Sequence, residues 1–146
     1  MKPGTILRCT STEKDDYFAG TCMLLAEVNE DGVMGYLLNK RYPRYFNELV
    51  EFSDSPPFPL FEGGPMEHEK LFFIHRHPEL IDNGTLLRDN IYYGGNFKQA
   101  VAGLNAGKLN EAGLKMFIGY CGWDAGQIEE EIAAGDWEIA NSSTIF

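Results

Sequence analysis

The stretch LKMFIGYCGWDAGQIEEEIAAGDW, residues 114–137, decides the fold, because it combines a strand, a helix and the start of a second strand. LKMFIGY is a continuous apolar run, typical of a buried strand. Asp124 is predicted to be the N-cap of the helix that follows, and Gln127 can accept a hydrogen bond from the backbone N–H of that cap residue. Gly135 supplies the left-handed stop of the helix. The segment DWEIA is then predicted to return as a strand.

Three successive glutamates lie on this predicted helix. At 100° per residue, Glu130 points directly away from the apolar face and is predicted to be solvated. Glu129 and Glu131 flank that face on opposite sides, so they do not form a facing pair for joint acid–base work. Each is predicted either to bond to a neighbouring loop or to line a cleft beside Trp123. The apolar face consists of Ala125, Ile128 and Ile132.

Strand patterns dominate the rest of the chain. Asp31-Gly32 predicts a hairpin turn between two of the strands. Asn96 is predicted to cap a second helix with Gln99 completing a capping box, and Gly107 is predicted to end it. The predicted strands are 4–10, 21–28, 33–40, 70–77, 91–95 and 114–120, with a short helix at 45–52 and a proline-rich surface loop at 54–61. We therefore expect an α+β fold, a single compact domain with a mixed, mainly antiparallel sheet flanked by a few helices.

Composition restricts the classes of function. The net charge is −10, from 22 acidic and 12 basic residues, which leaves little material for a basic patch that could bind phosphates. The charge therefore disfavours direct nucleic-acid binding and favours cationic or neutral partners. No apolar run is long enough to span a membrane, and the N-terminus has no signal-peptide pattern. The odd number of cysteines argues against a secreted disulfide framework, so we expect a cytoplasmic protein.

Four motifs carry a resemblance to a known family. They are Pro3-Gly4; Gly35 with Asn39 and Lys40; Gly63-Gly64-Pro65; and a closing signature of Gly119, Tyr120, Gly122, Trp123, Gly126, Gln127, Glu129, Glu131, Ile132 and Trp137. With these motifs the chain resembles the YqgE/AlgH family of small bacterial proteins nearly end to end. It departs from the family pattern at Arg41, Met66, Cys121 and Ile128. The resemblance implies one domain over residues 1–146 and a fold more than a reaction. Some members are labelled transcriptional regulators, although no recognisable DNA-binding motif is present here.

Several motifs allow a chemical and a structural interpretation. Cys121 lies near a predicted helix N-terminus and could be a nucleophile. The YqgE/AlgH family, which this chain resembles, typically has alanine at this position, so the resemblance disfavours a reaction of the family that depends on this thiol. His68, His75 and His77 could bind a metal, yet no second ligand cluster completes the set, so polar histidines on an edge strand are favoured. The glycines of FEGGP, residues 61–65, could form an anion nest, but a tight packing turn is favoured. NKRYPRY, residues 39–45, is the only basic cluster and is predicted to be a solvated loop.

We therefore predict a non-enzymatic protein that binds a protein partner or a small ligand, with no cofactor and no metal. The first alternative is a hydrolase-type enzyme that pairs Glu131 or Glu129 with His75 or Asn39. The second alternative is direct nucleic-acid binding. The candidate binding residues are Asn39, Gly63, Gly64, Pro65, Trp123, Gln127, Glu129 and Glu131.

Overall fold

A computed structural model describes residues 1–146 as ten β-strands and two α-helices. The strands are β1 (Ile6–Cys9), β2 (Cys22–Asn29), β3 (Gly32–Leu37), β4 (Arg41–Tyr45), β5 (Pro59–Glu62), β6 (Met66–His75), β7 (Thr85–Arg88), β8 (Ile91–Tyr93), β9 (Leu114–Asp124) and β10 (Trp137–Ile139). The helices are α1 (Phe97–Asn105) and α2 (Gln127–Ala133), with two 3-10 turns at Phe46–Glu48 and Val50–Phe52. Neither helix is long and apolar enough to cross a membrane.

The ten strands belong to one sheet in the order β10-β1-β2-β3-β9-β6-β8-β7, with β5 alongside β9 and β4 alongside β5. Only the β5–β9 pair is parallel, and every other pair is antiparallel. Strand β1 pairs with β10, so the two ends of the chain meet in the sheet. The prediction of a single sheet-dominated domain is confirmed, and the architecture is compatible with the α+β class.

Strand β9 joins the two parts of the sheet. Its first half pairs with β5 and β6, and its last residues pair with β3. Gly119 lies between these halves at a φ of 73°, a left-handed conformation that side chains disfavour. A Cβ atom at Gly119 would overlap the carbonyl oxygen of Gly64 and lie 2.7 Å from that of Met66. Glycine at this position therefore lets β9 bend while the Gly63–Pro65 turn packs against it.

The core is built where the helices cover the sheet. Helix α1 buries Ala100 and Leu104 against a cluster that includes Phe73 and Met116. Helix α2 buries Ile128 completely against a second cluster that includes both tryptophans. Burial of one such aliphatic side chain contributes roughly 1.5–3 kcal/mol. A third cluster surrounds the fully buried Tyr36.

Two predicted loops are wrong in part. Residues 54–58 lie outside any helix or strand, as predicted for the loop 54–61, but β5 begins at Pro59 and lies between β4 and β9. Pro59 is the first residue of its strand, one of the few positions where a missing N–H is tolerated within a sheet. The basic segment 39–45 was expected to be a loop, but its residues Arg41–Tyr45 form β4. Strand β7 carries no pattern that we recognised.

The cap predictions are confirmed in part. Asn96 accepts a hydrogen bond from the backbone N–H of Gln99 at 3.1 Å, as expected, but the Gln99 amide binds Asp82 instead of closing a capping box. The hairpin at Asp31-Gly32 is present. The prediction of Asp124 as the N-cap of α2 is wrong, because Asp124 ends β9 and Gly126 occupies the cap position.

Candidate functional site

An acidic cleft of about 390 Å³ lies where β3 meets the last residues of β9. Two of the predicted site residues, Trp123 and Gln127, line it. Its carboxylates are Glu27, Asp31 and Asp124, and its apolar lining comes from Val33, Met34, Met66, Tyr120 and Trp123. We use the name acidic cleft for this set of residues below.

Strand register, a close glycine contact and one side-chain hydrogen bond shape the acidic cleft. Gly32 pairs with Asp124, and a Cβ atom at Gly32 would overlap the carbonyl oxygen of Trp123, so only glycine permits this approach of the strands. The Gln127 amide oxygen accepts a hydrogen bond from the Asp124 backbone N–H at 3.0 Å, which fixes the turn into α2. This bond was predicted from the sequence. The same bond holds the Gln127 side chain where it lines the cleft.

The Gly63–Pro65 turn contributes to the acidic cleft through the residue that follows it. A Cβ atom at Gly64 would overlap the backbone of Tyr120, so the two segments pack in direct contact. Gly63 and Gly64 are buried, whereas Pro65 is exposed. Met66 begins β6 beside this turn and stands 47% exposed in the cleft. Packing therefore explains the two glycines, and the turn that they form leaves Met66 exposed in the cleft.

The carboxylates of the acidic cleft have no partner within the chain. Glu27, Asp31 and Asp124 are exposed, and none of them takes part in an ion pair. No lysine, arginine or histidine lines the cleft. The cleft is therefore a concave surface with uncompensated negative charge around an apolar floor.

Glu131 binds two tryptophans instead of facing a cleft. Its carboxylate accepts hydrogen bonds from Trp123 Nε1 at 3.0 Å and from Trp137 Nε1 at 3.2 Å. The two indole rings meet edge to face at 6.0 Å, and Phe18 packs against both. Because buried indole N–H groups need an acceptor, Glu131 fixes α2 to β9 and β10. Glu129 lies exposed on the same helix.

Asn39 holds the start of β2 to the end of β3. Its side-chain oxygen accepts from the backbone N–H of Cys22 at 2.8 Å, and its amide nitrogen donates to the carbonyl oxygen of Gly20 at 2.9 Å. Both sides of its amide are therefore used within the chain. Asn39 does not line the acidic cleft.

His75 and Glu131, one pair of the enzyme alternative, are not brought together. His75 is fully buried, with Nε2 donating to the Gly94 carbonyl oxygen and Nδ1 accepting from the His77 backbone N–H. Burial lowers the pKa of His75, which keeps its imidazole neutral. His75 pairs with Leu114 at one end of β9, while Glu131 binds Trp123 near the other end, roughly 30 Å along the strand.

Cys121 lies inside the sheet and is 1% exposed. Burial raises the pKa of its thiol to about 12, so it is not a nucleophilic thiolate. Its Sγ lies 3.4 Å from the carbonyl oxygen of Gly63, which places it as a packing residue beneath the glycine turn.

A buried carboxylate network was missed by the sequence interpretation. Glu62, at the end of β5, accepts a hydrogen bond from Tyr17 Oη at 2.6 Å and from His68 Nε2 at 2.8 and 2.7 Å. Burial and the Glu62 carboxylate raise the pKa of Tyr17, so its hydroxyl stays protonated and donates. The available signal was an acidic residue at the end of the apolar run PLFE. The described side chains include no group of three or more His, Cys, Asp or Glu arranged to hold a metal ion.

Comparisons with known proteins give consistent matches. The family model described as AlgH-like matches residues 6–146. A protein named UPF0301 protein from Chlorobium limicola is 32% identical over 143 residues, which cover 98% of this chain and 76% of the relative. A UPF0301 protein from Parabacteroides distasonis is 33% identical, covering 97% of this chain and 72% of the relative.

Two solved structures resemble this fold. A crystal structure of a protein from Corynebacterium diphtheriae matches with a TM-score of 0.76 and 25% identity, covering 96% of this chain and 75% of that one. The solution structure of the AlgH protein from Pseudomonas aeruginosa matches with a TM-score of 0.71 and 26% identity, covering 94% and 75%.

Proposed function

This chain belongs to the AlgH-like family, and on that premise we propose that it acts without catalysis, by binding a basic segment of a partner protein in the acidic cleft. The observation that carries the proposal is the cleft itself, which combines three carboxylates, an apolar floor and no cation. We further propose that residues 1–146 work as one domain in the cytoplasm and that the binding regulates the partner.

Charge supports a cationic occupant. The carboxylates of Glu27, Asp31 and Asp124 are free of ion pairs, so a partner can pair with them without first breaking a contact of this chain. The protein as a whole carries a net charge of −10, which repels nucleic acid and attracts basic proteins. The same charge disfavours the alternative of direct nucleic-acid binding.

The apolar floor supports a protein segment over a lone cation. Met66 is 47% exposed, and Met34 and Tyr120 are half-buried beside it. Methionine adapts its shape to different side chains, and tyrosine is enriched at protein interfaces. A segment that alternates basic and aliphatic residues would satisfy both the rim and the floor of the cleft.

A charge-matched pair of variants tests the proposal. The probe is a short fluorescein-labelled peptide of alternating arginine and leucine, and its binding is followed by fluorescence anisotropy. The triple variant Glu27→Gln/Asp31→Asn/Asp124→Asn should bind roughly tenfold more weakly than wild type, because each exposed pair contributes about 0.5 kcal/mol.

The control Glu13→Gln/Asp15→Asn/Glu111→Gln removes the same charge from exposed positions outside the cleft. It should retain most of the wild-type affinity. Equal weakening by both triple variants would show that only the overall charge attracts the peptide, and the proposed cleft would be wrong. Trp123 and Glu131 are unsuitable for this test because both hold α2 in place.

A further inference from the structure

A second cavity, which shares no lining residue with the acidic cleft, lies between β4, residues 49–52, β6, β9 and α1 and has a volume of about 580 Å³. Its walls are aromatic and aliphatic, and one imidazole reaches it. The walls comprise Tyr42, Leu49, Phe52, Leu71, Phe97 and Ile118, and the imidazole is that of His68. We call this space the His68 cavity. Its volume lies within the usual range for small-molecule sites, roughly 300–1,000 Å³.

The orientation of His68 is fixed by its neighbours. Its Nε2 lies 2.8 and 2.7 Å from the two carboxylate oxygens of Glu62. Because Tyr17 also donates to this carboxylate, Glu62 acts as an acceptor and His68 Nε2 carries the hydrogen. The Glu62 side chain is only 12% exposed, so this contact lies inside the protein. The tautomer of a neutral His68 is thereby set, with an unprotonated Nδ1.

The free edge of the ring is the one that carries Nδ1. Cδ2 faces Gly119, since a Cβ atom there would lie 3.0 Å from it. Nδ1 stands on the opposite side of the ring from Cδ2, and it makes no hydrogen bond within the chain, while the side chain is 44% exposed. In its neutral form His68 therefore has one unused hydrogen-bond acceptor, and the residue lines the His68 cavity.

Charge and shape select the class of ligand. Four fully charged residues line the cavity, and their net charge is zero, because Arg44 and Lys70 balance Glu51 and Glu69. Glu62 adds a negative charge behind the imidazole. An anion is therefore disfavoured, and a neutral donor is favoured. The rings of Phe52 and Phe97 meet edge to face at 5.7 Å, and Tyr42 lies edge to face with His68 at 5.8 Å. Such walls suit a further aromatic ring.

We propose that the His68 cavity binds a phenol, whose ring packs among the aromatic walls and whose hydroxyl donates a hydrogen bond to His68 Nδ1. The Tyr17–Glu62–His68 chain of hydrogen bonds positions the acceptor. This site shares no lining residue with the acidic cleft. The phenol proposal is therefore tested independently of peptide binding in that cleft.

The test compares p-cresol with toluene, which has the same ring and methyl group but no hydroxyl. Binding is followed by NMR on the ring signals of Phe52 and Phe97. Wild type should bind p-cresol about tenfold more tightly than toluene, the difference that one hydrogen bond supplies. In His68→Phe, which keeps an aromatic ring and removes the acceptor, the two compounds should bind equally.

His77→Phe is the matched control, because His77 is also partly exposed and also bonded to a glutamate, Glu79, but does not line the cavity. It should retain the tenfold preference. The tautomer of His68, measured on the wild-type protein by long-range ¹H–¹⁵N correlation, needs no variant. An Nε2–H tautomer whose Nδ1 signal shifts with p-cresol supports the proposal. A preference that survives in His68→Phe, an Nδ1–H tautomer, or no saturable shift at millimolar p-cresol would each overturn it.

Discussion

Replacing Glu131 by glutamine should loosen the junction between α2 and the sheet. The carboxylate accepts two indole N–H bonds, at 3.0 and 3.2 Å, from Trp123 and Trp137. These indoles are 9% and 3% exposed, so water compensates poorly for a lost acceptor. The glutamine amide offers one neutral oxygen, and its NH₂ group would face the second indole N–H. One charge-assisted bond is lost and the other becomes a neutral bond.

The expected loss follows from typical values for such bonds. A hydrogen bond to a charged group contributes roughly 1.5–3 kcal/mol and a neutral bond roughly 0.5–1.5 kcal/mol. Because Glu131 is partly exposed, we expect the lower part of the combined range, a destabilisation of about 2 kcal/mol. With an m-value of roughly 1–3 kcal/mol/M, the urea midpoint should fall by about 1 M.

Urea unfolding followed by tryptophan fluorescence measures this directly, because the affected residues are the two tryptophans of the chain. Glu130→Gln is the control, since Glu130 lies exposed on the same helix and should change stability by less than about 0.5 kcal/mol. If Glu131→Gln and Glu130→Gln unfold at the same urea concentration, Glu131 does not clamp the tryptophans and the structural assignment is refuted.

Three further predictions concern buried positions. Gly119→Ala should lower the free energy of unfolding, measured in urea, by more than about 3 kcal/mol. Gly20 has nearly the same positive φ but open space around it, so Gly20→Ala should lower it by only about 1 kcal/mol. Equal losses would contradict the packing argument. Burial lowers the pKa of Lys115 to about 8 from 10.5. Between these two pH values the unfolded chain binds more protons than the folded chain, so the unfolding free energy of wild type should rise by up to about 3 kcal/mol relative to that of Lys115→Met. A difference between the two unfolding free energies that stays constant with pH would refute this. Burial raises the pKa of Cys121 to about 12, so in a variant with Cys121 as the only thiol, an aromatic disulfide reagent should react far more slowly before unfolding than after it.

Much of the local structure was predictable because short-range contacts fix it. The Asn96 cap, the hairpin at Asp31-Gly32 and the bond from the Asp124 N–H to Gln127 each join residues three or fewer positions apart. Such contacts depend on backbone geometry that the residue types themselves favour. The strand with Pro59 was missed because its partners, β4 and β9, come from other parts of the chain, and their hydrogen bonds outweigh the local effect of proline.

The candidate site was predictable only in part. Family motifs drew attention to Trp123 and Gln127, which do line one cleft, but equally to Asn39, Gly63 and Gly64, whose contacts within the chain are structural. A motif preserves packing residues and surface residues alike. The carboxylates of Glu27 and Asp31 belong to none of the family motifs, and they reach the cleft because β2 pairs with β3 and β3 pairs with β9.

The sequence by itself determined the sheet-dominated architecture, the ends of α1 and the net negative charge, because periodicity, caps and composition are local or summed properties. Tertiary structure alone decided the partners of its buried polar groups. Tyr17 and Glu62 are 45 positions apart in sequence, yet their oxygens lie 2.6 Å apart. Glu131 could have met solvent, a loop or a ligand, and the edge-to-face arrangement of two tryptophans made it a structural acceptor. A buried donor takes whichever acceptor the folded chain brings within reach, and no local pattern encodes that distance.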